Sequence, residues 1–560
     1  MGLEALAERF ARGWRGPALA ALIALVAGLP GLIALPPIDR DESRFAEASA
    51  QMLESGDFVT PRLQDIPRYK KPVGIYWLQA ATVATLSKVE ARQIWAYRIP
   101  SLLGAMLAAA ACAWGAAAFL RPAASLAAGA MLGASFLLST EASIAATDGV
   151  LAGAVTLAMA ALGRLYLAAN GGPRAGRRVK ALLWAGMALA ILVKGPIGPM
   201  VMALTLIGLA IWDRTARWLA RIGWGWGLIA IGALVGPWAL AITVASDGAF
   251  WGASIGGDLA PKLLRGEETH GAPPGFYALL APLMLAPATL MLPAGLVAGW
   301  RDRAEPGVRF ALAWLIPAWL VFEATPTKLV HYPLPLYGAL AWLMARALET
   351  PLGRWPRWIG AGLALLAALA FAAVGPYASE NLAGGEGLAW ATAAAVFYLA
   401  GGAAAVWLIL RERPYAALAA GGALTLVGHG LLLGGAAPDL KPLWLSSRAA
   451  KALSVAGASP AQGVYPGPVT VAGYEEPSLV FQLGTETELG DATDAADAIG
   501  DGRPAIVEGR QVAAFQAALA ADGLTARRVG EGAGLDYSNN RHDVLQIFLP
   551  ARAPAPKGKP

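Results

Sequence analysis

Isolated ionisable side chains stand at the ends of long apolar runs: Asp148, Lys194, Lys328, His331 and, beside the last, the phenol of Tyr332. A charge at membrane depth costs several kcal/mol and usually lines a polar cavity. Asp41, Glu42, Arg44 and Lys71 stand in the charged stretch 38–100, and Lys262, Arg265, Glu267, Glu268 and His270 in the loop before Gly275. Carboxylates of this kind accept protons, and an excess of Lys, Arg and His holds an anion. Phosphate suits such a mixture, with Arg binding as a fork and Lys as a mobile point charge. Beside helices built to touch lipid, that phosphate is expected to be lipid-linked. The alternative for Lys194, Lys262 or Lys328 taken singly is interfacial anchoring, since long cations at span ends snorkel.

Whether these residues can meet depends on the threading. Of the 560 residues, 57% are hydrophobic and 15% charged, against about 25% charged in soluble domains. With a mean hydropathy of +0.52, this excludes a cytosolic enzyme and requires many membrane spans. A single cysteine, Cys112, excludes an intrachain disulfide and a cysteine-based zinc ribbon. The net charge of +6 sits in short clusters between apolar runs, a pattern of membrane orientation rather than nucleic-acid binding.

The run 16–36 follows Arg9, Arg12 and Arg15, lacks a small-x-small cleavage site and is expected to be an uncleaved span. Segments 41–56 and 72–87 have mixed polarity and are expected as amphipathic helices in the interface. Twelve further runs then read as spans: 101–120, 123–139, 149–169, 181–193, 196–212, 225–245, 275–299, 310–324, 332–345, 358–374, 388–410 and 415–436. With 72–87 in the interface, the clusters Arg174/Arg177/Arg178/Lys180, Arg214/Arg217/Arg221, Arg301/Arg303/Arg309, Arg346/Arg354/Arg357 and Arg411/Arg413 share the cytoplasmic side with the N-terminus. All the isolated ionisable residues then face the opposite side, where one site can gather them. The expected fold is a polytopic all-α membrane protein of about thirteen helices over 1–436. Residues 437–560 are expected as a small outer α/β domain, with strands at 469–471, 504–507 and 544–549, helices at 477–483 and 511–521, and a frayed tail from 550.

Asp41-Glu42-Ser43-Arg44-Phe45-Ala46-Glu47, then Glu54-Ser55-Gly56-Asp57-Phe58-Val59-Thr60-Pro61 and Lys71-Pro72 with Tyr76-Trp77 form one series of motifs. Thr147-Asp148, Val193-Lys194-Gly195-Pro196, His270 before Phe276-Tyr277, and Thr327-Lys328-Leu329-Val330-His331-Tyr332-Pro333-Leu334-Pro335 continue it. Over 36–345 the series resembles GT-C glycosyltransferases of the aminoarabinose transferase and protein O-mannosyltransferase type, and residues 474–484 and 536–538 are more loosely similar to the periplasmic domain of the bacterial branch. The resemblance implies transfer of a sugar from a polyprenyl phosphate to an acceptor on lipid A or another envelope glycolipid, at the periplasmic face of the bacterial inner membrane. It implies Asp41 as general base and Asp148 as a second acid. Lys71, Arg44, Lys194, Arg265, His270 and Lys328 would hold the donor phosphate, with Glu42, His331 and Tyr332 as secondary candidates.

One position departs from that pattern. Where the aminoarabinose branch carries an acid implicated in metal binding, this chain has Lys70, whose ammonium repels a divalent cation; no metal or other cofactor is expected to be required. The departure also weakens the assignment of aminoarabinose as the sugar. Glu47 is read as plain helix solvation, and His429 as a core histidine bonded to a neighbouring helix. Protein O-glycosylation is the alternative within the class. Lipid or sugar-phosphate transport is the alternative outside it, disfavoured because transporters show repeats and mid-membrane charges.

Overall fold

The computed structural model describes residues 3–259, 261, 271–463 and 465–551. Lys262, Arg265, Glu267, Glu268, His270 and the tail beyond 551 lie outside the described residues. Each of the thirteen apolar runs is met by helix. Among the described residues, eight helices are long and apolar enough to cross a membrane, from Arg15–Ala34 to Pro414–Asp439. Four runs are met by the shorter or less apolar helices Pro122–Gly133, Arg177–Lys194, Ile197–Asp213 and Tyr337–Ala347. The run 275–299, expected as one straight span, is two helices, Phe276–Met284 and Ala288–Arg301, bent by 118°. Pro287, between them, has no N–H to continue a helical ladder.

Small residues set the helix spacing around the site. A Cβ on Gly104 would strike the Gly149 carbonyl, and one on Gly153 the Gly104 carbonyl. Helices Ile94–Ala116 and Thr147–Ala169 therefore pack backbone against backbone, which fixes the start of the second helix, where Asp148 sits.

The mixed-polarity segments form helices Asp41–Ser55 and Gly74–Leu86. The first is anchored by a fully buried ion pair. Arg98, 0% exposed, grips Glu42, 1% exposed, through Nε–Oε1 at 2.8 Å and Nη2–Oε2 at 2.7 Å. Its remaining N–H groups reach the carbonyls of Leu35 at 2.6 Å and Pro36 at 2.9 Å, where helix Arg15–Ala34 ends. Glu42 also accepts from the backbone of Ile38 at 2.8 Å and Ala145 at 2.7 Å. Glu47 does not point to solvent as its helix position suggested. It is buried and paired with Arg92 at 2.6 Å, because the C-terminal domain covers this face of the helix.

That domain carries a five-stranded sheet in the order Glu488–Gly490, Thr470–Ala472, Ala505–Glu508, Arg541–Pro550, Ala526–Asp536, parallel across the first three strands and antiparallel thereafter. Alternate side chains divide between two cores. Val471, Ile506, Leu545 and Ile547 face helices Leu445–Val455 and Pro477–Leu483; Ala472, Ala505 and Val507 face Ala492–Gly500 and Val512–Ala521. The expected strands and helices are present. Strands Glu488–Gly490 and Ala526–Asp536 had not been anticipated, the latter because Gly530, Gly532 and Gly534 carry no apolar alternation. Phe481 seals the domain to the membrane part, packing edge-on against Tyr97 at 5.2 Å in a cluster with Ala46, Ala50 and Ala145. Beside it the Thr485 hydroxyl lies 2.6 Å from the carboxylates of both Glu47 and Glu54.

Removing one partner of a buried pair strands the other charge. Arg98→Leu should lower stability by about 3–5 kcal/mol, measured as a fall in the thermal midpoint of the detergent-purified protein; an unchanged midpoint would show that the pair does not hold the fold.

Candidate active site

A cavity of about 580 Å³ opens between the helices, lined by Lys70, Lys71, Asp148, Lys194, Asp258 and Tyr332 at its polar end. The rest of its wall is apolar, with Ile191, Met200, Phe250, Trp251, Val321 and Phe322 among the lining residues. Lys194 ends helix Arg177–Lys194, where the helix dipole favours a cation, and Gly195 turns the chain at φ 57°, a left-handed value suited to glycine. Asp148, in the first turn of Thr147–Ala169, suits the opposite dipole end. The two meet at Nζ–Oδ1 2.6 Å, while the Thr147 hydroxyl donates to Oδ2 at 3.0 Å. His331 lies between two carboxylates, its Nδ1 3.4 Å from Glu141 and its Nε2 3.7 Å from Asp148. Lys194 also sits over the Tyr332 ring at 5.3 Å.

Lys71 forms a 2.5 Å ion pair with Asp258. Asp41 does not line the cavity. Its carboxylate is 71% exposed and lies 3.9 Å from Arg68, which is buried and donates to the Tyr76 hydroxyl at 3.2 Å. Arg68 thereby connects the exposed acid to Tyr76, on helix Gly74–Leu86, which begins just after Lys71.

The structure thus brings Lys71, Asp148, Lys194, His331 and Tyr332 together. Besides Asp41, it places three of the sequence-derived candidates elsewhere. Lys328 caps helix Pro306–Ala324, donating to the Glu323 and Thr325 carbonyls, each at 2.7 Å. Glu42 is engaged by Arg98. Arg44 lines a second, polar pocket against the C-terminal domain. Arg265 and His270 lie outside the described residues. Asp258, Arg68 and Glu141 were not singled out from the sequence, although Asp258 carried the same signal as the others, a lone acid in an apolar stretch.

Glu141, Asp148 and His331 are also, among the described residues, the one group whose ligand atoms converge as a metal ion requires. The Lys194 ammonium already occupies one Asp148 oxygen, so the group reads as an alternating ion-pair chain. Burial disfavours the charged imidazole, but the Asp148 and Glu141 carboxylates outweigh it and hold the His331 pKa above its ordinary 6.5.

A bundle of short and long apolar helices joined to a small α/β domain gives the chain the GT-C fold. Residues 37–250 match the dolichyl-phosphate-mannose-protein mannosyltransferase family model. Two undecaprenyl phosphate-alpha-4-amino-4-deoxy-L-arabinose arabinosyl transferases are each 29% identical to this chain. The match to that of Pseudomonas paraeruginosa covers 61% of this chain and 63% of the relative; the match to that of an Enterobacter species covers 71% and 72%. The chain therefore spans a little under two thirds of the Pseudomonas relative's length. The crystal structure of ArnT from Cupriavidus metallidurans bound to undecaprenyl phosphate has the same fold, with a TM-score of 0.78 at 20% identity over 96% of this chain and 99% of that one. Its apo form gives a TM-score of 0.74.

Because folding favours protonated His331, that stabilisation is complete below about pH 6.5 and is lost as pH rises through the raised value. The thermal midpoint should decline on the alkaline side of neutrality, and His331→Gln should flatten the decline. Parallel pH profiles for the two proteins would contradict the ion-pair chain.

Proposed function

We propose that the protein transfers a sugar from a polyprenyl-phosphate donor to a hydroxyl or phosphate of lipid A or another envelope glycolipid, at the periplasmic face of a bacterial inner membrane. The observation that carries this is the cavity that is apolar along its wall and cationic at one end. It suits a ligand with a hydrocarbon chain and a phosphate, and its volume falls in the ordinary range for ligand sites. The donor phosphate takes Lys71 in exchange for Asp258 and is held from the other side by Lys194, with Lys70 adding to the field. Asp148 orients Lys194.

Asp41 removes the proton from an acceptor hydroxyl as its oxygen bonds to the anomeric carbon. The bond from that carbon to the phosphate oxygen breaks, and its electron pair leaves on the polyprenyl phosphate, where the lysines stabilise it. The name of the matching family model favours one second reading, transfer to a protein hydroxyl. Mass spectra of envelope lipids and glycoproteins from cells with and without the gene distinguish the two. The reaction runs without a divalent metal, a reading supported by the Lys194 ammonium, 2.6 Å from Asp148 in the only described group able to ligate one.

Two substitutions should fail differently. Asp41→Asn should lower turnover about 100-fold or more and leave binding of polyprenyl phosphate intact, whereas Lys71→Ala should weaken that binding. Full turnover of Asp41→Asn at saturating donor would remove it as the base and leave Asp148 as the candidate. Activity should also survive EDTA; loss on chelation restored by zinc or magnesium would overturn the metal-free reading.

A further inference from the structure

A second cavity, of about 360 Å³, lies at the seam between the first outer loop and the C-terminal domain. Four arginines line it from three places in the chain: Arg40 and Arg44 at the start of helix Asp41–Ser55, Arg510 after strand Ala505–Glu508, and Arg541 at the start of strand Arg541–Pro550. Like charges are gathered here at a cost. Arg44 is only partly exposed, and its side chain has neither a hydrogen bond nor an ion pair among the described residues. Burial, with Arg68 and Arg40 close by, depresses its pKa despite Asp41 and Glu476.

The other three are partly engaged, Arg40 with Asn539 at 3.0 Å and Glu476 at 3.7 Å, Arg510 with Glu508 at 2.6 Å, and Arg541 with Glu508 at 3.1 Å and Asp543 at 2.8 Å. A guanidinium has five N–H donors, so these contacts leave capacity free. Two acids line it as well, the exposed Glu475 and the buried Glu476, and the second is weakened. Burial, with Asp39 and Asp536 close by, pushes the Glu476 carboxyl up to about 7. Arginine forks match phosphate oxygens in geometry and charge. Asp41 lies between Arg40 and Arg44 in the chain, so an anion held here would be beside the proposed base.

We propose that this arginine pocket binds a phosphate group of the acceptor headgroup, and that the C-terminal domain is present to complete it with Arg510 and Arg541. This rests on the glycosyl-transfer reading and adds the residues that would recognise a phosphate-bearing glycolipid acceptor. Donor and acceptor phosphates are thereby kept in separate sites, lysines for the first and arginines for the second.

The test is binding to the full-length protein in nanodiscs, with a bis-phosphorylated glucosamine-disaccharide lipid, its dephosphorylated form, inorganic phosphate and polyprenyl phosphate as four separate probes. Arg44→Gln and Arg510→Gln should each weaken the phosphorylated glycolipid about tenfold or more. Polyprenyl phosphate affinity should be unchanged, which also reports that the variants are folded. Arg527→Gln, exposed on strand Ala526–Asp536 and outside the pocket, should have no effect. Equal affinity for the phosphorylated and dephosphorylated glycolipids, or wild-type affinity in both pocket variants, would overturn the proposal. So would inorganic phosphate binding as tightly as the glycolipid, which would make this a site for the free ion. Arginine-dependent glycolipid binding in a protein that transfers no sugar would uphold the pocket while counting against the transferase reading.

Discussion

The placement of Asp41 depends on one buried contact, the two-pronged pair of Arg98 with Glu42. Three parts of the chain end at it: the last carbonyls of the first span, the first turn of the outer-loop helix and the backbone at Ala145. Asp41 is the next residue before Glu42, so the exposed carboxylate is placed by its buried neighbour. Desolvating two charges is costly, and in many proteins a hydrophobic pair would serve stability as well. Here the pair also satisfies carbonyls that the end of a helix leaves open, a task no hydrophobic side chain can do.

Much of this was legible in the sequence because lipid imposes a coarse grammar. Apolar runs, basic clusters and the polarity of residues 72–87 were enough to place the helices, and alternation with turn residues was enough to place most strands of the outer domain. The break in the run 275–299 was less legible, since proline is tolerated in membrane helices and does not announce a bend. Strand Ala526–Asp536 was hidden by its glycines. Glu42 and Glu47 show a different limit. Both sit on a helix whose surroundings come from residues far along the chain, Arg98 for one and Arg92 with Thr485 for the other. A residue's type tells what it can bind, and only the fold tells what it has already bound.

The same limit separates the cations. Residue type and the side of the membrane put Arg44, Lys71, Lys194 and Lys328 in one group. The structure distributes them among a seam against the C-terminal domain, the lysine-lined cavity and a helix cap. Because Arg44 lines a pocket with residues of the C-terminal domain, that domain takes part in the proposed acceptor site.

The ion pair of Lys71 with Asp258 gives the cavity a particular kind of discrimination. An anion arriving there does not meet a bare cation but replaces a carboxylate already in place, so the exchange of charge alone releases little free energy. A small soluble phosphate would gain almost nothing by entering. A ligand that also lays hydrocarbon along the cavity wall gains about 0.8 kcal/mol for each methylene it buries, and that surplus is what displaces the acid. For the proposed donor, the resident counterion would make the cavity answer to an anion with a hydrocarbon tail and would shield the lysine from small free anions.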